Sequence, residues 1–200
     1  MEPNWLDLQP SEWLVAREDP ETSPERRPPS ANGFSSPLMT IGILFVSTGG
    51  TCRAPMAVGA FRTIVRCAGL ANSFEIDGAA TYDGHAGHPP SFLAIEAAAR
   101  RGYAIGDLRA RPLAPEDIAH FDYPLAMDRS RLAAMRWLAP RGLTERPHLF
   151  MQYAAARGVR DIQDPYGGTN EDFERALDMI EAGCAGLLRR LQTVLIGARG

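Results

Sequence analysis

The sequence contains no lysine: all 21 of its basic side chains are arginine, set against 24 acidic ones. So uniform a choice reads as a bias of composition, and an isolated arginine is therefore weaker evidence of phosphate recognition than usual. The net charge of -3 argues against a general affinity for nucleic acid or for anionic membrane surfaces. No apolar run approaches the roughly 20 residues of a membrane span, and residues 1–10 carry neither a basic start nor an apolar signal segment. The expected location is the cytoplasm, with no membrane and no nucleic-acid partner. Cysteine is scarce as well: Cys52, Cys67 and Cys184 are an odd number without close pairing or metal-ligand spacing. That excludes a disulfide framework and fits reduced thiols in a reducing compartment.

What is present is enough for one domain. Two hundred residues at 45% hydrophobic content can bury a full core. The first forty residues are rich in Pro, Ser and Glu, with Pro20, Pro24, Pro28 and Pro29 in one stretch, a composition that buries too little apolar surface to fold alone. Residues 1–38 are read as a flexible extension and residues 39–200 as the folded domain. Within the extension, Trp5, Leu6, Leu8, Trp13, Leu14 and Val15 suit either a short amphipathic helix that docks or a loosely ordered tail.

From Ile41 to Val46 the chain is continuously apolar and β-rich, as in a strand buried on both faces of a parallel sheet. A glycine-containing turn leads to a helix over residues 53–68, with Pro55 in its first turn and Met56, Ala60, Ile64 and Cys67 along one face. Further strands are expected over residues 74–79, 123–127 and 160–162, and helices near residues 91–101, 129–138 and 170–195. Pro115, Glu116 and Asp117 open one more helix, where first-turn acids suit the helix dipole. This alternation predicts an α/β fold: a three-layer sandwich around a central, mostly parallel four-stranded sheet, with ligands bound beyond the carboxyl ends of the strands.

The turn after the first strand, Ser47-Thr48-Gly49-Gly50-Thr51-Cys52-Arg53, lies at such an end. Consecutive backbone N–H groups there can converge on one anion while the following helix terminus favours its charge. Gly49 and Gly50 permit the tight curvature, and Arg53 supplies a planar fork for two phosphoryl oxygens. The loop is not a Walker A loop, because the G-K-[ST] ending is absent. By itself, a strand, a Gly-Gly turn and an arginine also suit an ordinary strand-to-helix turn.

Residues 43–56, I-L-F-V-S-T-G-G-T-C-R-A-P-M, resemble the active-site loop of the low-molecular-weight protein tyrosine phosphatases, whose pattern is V-C-x-G-N-x-C-R-S-P with C-x5-R inside it. The likeness continues through Gly78-Ala79-Ala80-Thr81, His85, Arg109-Ala110-Arg111, Phe121-Asp122-Tyr123, Met127-Asp128 and Asp164-Pro165-Tyr166-Gly167. It implies a phosphatase I-like fold, no cofactor and no metal, and as partners a phosphotyrosine-containing protein or small aryl phosphate, with inorganic phosphate as a ligand. It places the nucleophile position at Ser47, the phosphate clamp at Arg53 and the general acid at Asp164. Thr48, Gly49, Gly50, Thr51, Cys52 and Arg53 form the phosphate cradle, Tyr166 a wall for the aromatic group, and His85 a buttress of the loop. His85 and His88 near Asp83 also invite a metal, but suit a surface loop better.

Against that pattern Ser47 is the main departure, since a hydroxyl is protonated at neutral pH and needs a base that the loop does not supply. The resulting expectation is a chain that is very slow or inactive, whether Ser47 is natural or engineered. A natural pseudophosphatase that binds phosphate or phosphotyrosine is the alternative, and an arsenate reductase-like protein a lower one, lacking a cysteine relay. Cys52 stands where the family has its second loop cysteine. As a nucleophile it is set aside, because Val58, not arginine, lies six positions on, and the family's geometry does not aim this side chain at phosphorus. Ala54, Gly50, Ser91 and Arg131 replace a serine, an asparagine, an aspartate and an asparagine of the family.

Overall fold

The computed structural model describes residues 40–154, 158 and 161–197. The first strand, β1 (Ile41–Ser47), is buried at every position. It is a central strand: the sheet order is β2-β1-β3-β4, with β2 spanning Phe74–Ala80, β3 Tyr123–Ala126 and β4 His148–Leu149. All three pairings are parallel, with Ile41 opposite Phe74 and Ser47 opposite Ala80 on one side, and Ile43 opposite Tyr123 on the other. A strand with neighbours on both edges and cover on both faces has no polar side to present, which is why β1 reads as unbroken apolar sequence.

Helices complete the layers: α1 (Arg53–Cys67), α2 (Phe92–Arg100), α3 (Pro115–His120), α4 (Arg129–Leu138) and α5 (Asn170–Gly197). Successive β1 side chains enter opposite cores, as the period of two requires. Ile43 and Phe45 join the larger core with α1 and α5, where Phe45 meets Phe61 and Phe150 edge to face. Leu44 and Val46 join Ile118, Phe121 and Met135 on the other face. Helix α1 is buried over nearly its whole length, so the arginine that opens it is held by a rigid element. Its close approach to the chain before α3 requires Gly59, where a Cβ would stand 2.4 Å from Ile105 Cγ2.

The expected three-layer sandwich is present, and the helix at residues 129–138 begins and ends where its pattern places it. The strand expected over residues 160–162 is not formed where it can be described. Residue 160 lies outside the described residues, and Ile162 is irregular chain tied to Met127 O through its N–H at 2.9 Å. The fourth strand is β4, two residues long and following Pro147, too short for an alternating pattern to reveal. The extension, residues 1–38, lies outside the described residues.

Candidate functional site

The turn from β1 to α1 curls around a cavity of about 230 Å³ at the carboxyl edge of the sheet. Ser47, Thr48, Gly49, Gly50, Thr51, Cys52 and Arg53 line it together with Tyr82, His85, Asp164 and Tyr166. The turn is fixed from outside by its carbonyls: Ser47 O accepts from Thr81 N–H at 3.0 Å, Thr48 O from Tyr82 N–H at 2.9 Å and Thr51 O from Ser91 N–H at 2.8 Å. Gly50 has φ 69, and a Cβ there would approach Ala80 and Ala110 Cβ to 3.2 Å, so both backbone and space call for glycine. Gly49 is closed off by His85, whose Cδ2 would lie 2.8 Å from an added Cβ. Among the described residues, no acceptor takes the amide N–H groups from Thr48 to Cys52. A row of unclaimed amides at a helix start is an anion cradle.

Arg53 is the largest fully buried side chain, 2% exposed. One Nη donates to Asp128 Oδ2 at 2.7 Å and to Ile162 O at 2.9 Å. The other donates to Thr48 Oγ1 at 2.8 Å and Asp164 Oδ2 at 2.6 Å. Its Nε is buried with no partner. A desolvated N–H left unmade is costly, and a phosphoryl oxygen in the cavity is the acceptor that would satisfy it. Asp164 is held at its other oxygen by Tyr166 N–H at 3.3 Å, which keeps the carboxyl at the cavity mouth. Two exposed rings flank that mouth, Tyr82 and Tyr166, with the His85 ring 5.7 Å from each.

All the residues expected at this site are brought together. The expectation that its cysteine has been lost is corrected. Cys52 N-caps α1, immediately before Arg53, and lines the same cavity as Thr48, Arg53 and Asp164. A site that retains a thiol among its phosphate-loop residues does not support replacement of its cysteine by serine, nor the very slow or inactive chain and the pseudophosphatase inferred from that replacement. The spacing from Cys52 to Val58 does not bear on this, because the residue reaches the cavity from the helix end. Ser47 lies alongside it, 2% exposed at the end of β1. The Cys52 thiol is 3.3 Å from Ser91 Oγ and 3.9 Å from Thr51 Oγ1. Burial pushes its pKa above the ordinary thiol value, and the hydrogen bonds from Ser91 and Thr51 pull the other way.

Three contributors had gone unrecognised in the sequence. Asp128 anchors Arg53 while capping α4, accepting from Arg131 N–H at 2.7 Å. Ser91 caps α2 and touches Cys52. Tyr82 forms half of the aromatic mouth. For Asp128 and Ser91 a helix-start signal was present in the sequence, but nothing in it reported what the other oxygen would hold.

Residues 42–195 match the family model described as low molecular weight phosphotyrosine protein phosphatase. The low molecular weight phosphotyrosine protein phosphatase 2 of Drosophila melanogaster is 36% identical over 149 residues, 74% of this chain and 90% of that protein. The low molecular weight protein-tyrosine-phosphatase of Streptomyces coelicolor is 37% identical over 165 residues, 80% of this chain and 98% of that one. A crystal structure of a protein tyrosine phosphatase from Entamoeba histolytica, with Hepes in its active site, superposes with a TM-score of 0.74 at 25% identity, covering 77% of this chain and 98% of that one.

Proposed function

Given that this chain belongs to the low-molecular-weight phosphotyrosine protein phosphatase family, we propose that it hydrolyses phosphotyrosine-type monoesters. The observation that carries this reading is Arg53: buried, fixed by Asp128 and Ile162, and keeping one unpartnered N–H beside a cradle of free amides. The phosphoryl group binds there. Positive charge and preorganised N–H groups oppose the equatorial oxygens as the bond to the leaving oxygen lengthens. The aryl group rests between Tyr82 and Tyr166, whose exposed rings offer flat apolar contact.

The Cys52 thiol is the loop's sulfur nucleophile. It reacts as the thiolate, its proton lost to solvent, and forms the S–P bond as the bond from phosphorus to the phenolic oxygen breaks; the phenolate leaves with a proton from the Asp164 carboxyl. The Asp164 carboxylate then takes a proton from water, which attacks phosphorus, breaks the S–P bond and releases phosphate. His85 holds the loop through Gly49. The partners are a phosphotyrosine-containing protein or a small aryl phosphate. Among the described residues no helix is long and apolar enough to cross a membrane. Three cysteines with no disulfide between them favour work in the cytoplasm.

The leaving group tests this assignment. Asp164→Asn is expected to lower kcat/KM, which reads the step that expels the leaving group, about 10²-fold for phosphotyrosine, whose phenolate leaves poorly, and much less for a nitrophenyl ester, which needs no proton. An equal loss on both esters would take the acid's role away from Asp164.

A further inference from the structure

Arg131 sits in the first turn of α4, and its Nη1 donates to Thr48 Oγ1, the same oxygen that accepts from Arg53 Nη2 at 2.8 Å. A hydroxyl has two lone pairs and one proton, whereas a guanidinium can only donate. Two guanidinium donors therefore occupy both lone pairs of Thr48 Oγ1, and its proton must point to a third group. Among the described residues no acceptor takes that proton, and Thr48 lines the phosphate cavity. Arg131 is further fixed by its own N–H on Asp128 Oδ1, and its Nε is buried without a partner. The same aspartate thus holds the Arg53 guanidinium and the backbone of Arg131.

We propose that Arg131 is a positioning residue that, with Arg53, locks the Thr48 hydroxyl as a hydrogen-bond donor to the bound phosphoryl group. The inference rests on the phosphatase reading above. A free threonine hydroxyl rotates among acceptors and donors; this one is committed in advance, so it costs no reorganisation when the phosphoryl group arrives. Nothing in this role requires Arg131 to touch substrate.

The test is binding of inorganic phosphate to the full chain, read by calorimetry, with thermal unfolding run on each variant to establish folding. Arg131→Met and Thr48→Val are each expected to weaken binding about tenfold. The double variant should be no weaker than Thr48→Val alone, because both remove one donor, and Thr48→Ser should bind like the wild type. Binding by Arg131→Met within about twofold of wild type, or losses that multiply in the double variant, would overturn the inference. A wild type that binds no phosphate would overturn the functional reading itself, and this role with it.

Discussion

Cys52→Ser is expected to lower turnover of an aryl phosphate about 10⁶-fold, the scale on which hydrolases lose activity when their nucleophile is removed. Ser47→Ala, measured alongside, should stay within about tenfold of the wild type, the range of one lost hydrogen bond. Both groups line the cavity and both are almost wholly buried, so position alone does not separate them. Chemistry does. A hydroxyl stays protonated across the working range and needs an adjacent base, whereas a thiol is intrinsically nucleophilic and ionises within reach of neutral pH. Burial raises the Cys52 pKa, so the thiolate fraction at neutral pH is small and grows as pH rises. For a nitrophenyl ester, which leaves without an acid, the rate should climb through the neutral and mildly alkaline range and continue past the ordinary thiol value. The opposite ranking, with Ser47→Ala inactive and Cys52→Ser active, would assign the covalent step to the hydroxyl at the end of β1.

Arg53→Ala is expected to lower kcat/KM by at least about 10³-fold, since a single preorganised donor in such a site is worth 10²–10³ and Arg53 offers more than one. Phosphate should also cease to protect the fold against heat. Two effects contribute, and Arg53→Lys distinguishes them. Alanine leaves Asp128 and the Ile162 carbonyl without their donor, a loss of stability of about 3–5 kcal/mol by comparison with other broken buried pairs. Lysine keeps a charge for Asp128 but cannot serve four acceptors from a planar fork. The lysine variant should therefore recover much of the stability and little of the activity. Recovery of full activity would reduce Arg53 to a structural charge.

How much of this was legible beforehand depended on distance along the chain. The strand, turn and helix from Ile41 to Cys67 are local: an apolar run, two glycines, and Pro55 in the first helical turn specify them from neighbouring residues alone. The site residues that came from far away were legible only through their resemblance to a known pattern. Asp164 lies 111 positions from Arg53, and no periodicity reports such a contact. The strand β4 escaped because two residues cannot show alternation. Cys52 was misjudged for a related reason. Spacing along the loop does not report which residues meet the cavity: Cys52 lines it from the N-cap position of α1. Arg131 shows in the sequence only as a replaced asparagine, and only the fold brings its guanidinium to Thr48.

The most direct measurement is release of inorganic phosphate from phosphotyrosine by the purified full chain, followed with and without added phosphate. Catalytic turnover and competitive inhibition by phosphate are expected, with turnover lost in Arg53→Ala. Tight phosphate binding at the same site with no release above the uncatalysed rate would contradict the phosphatase reading.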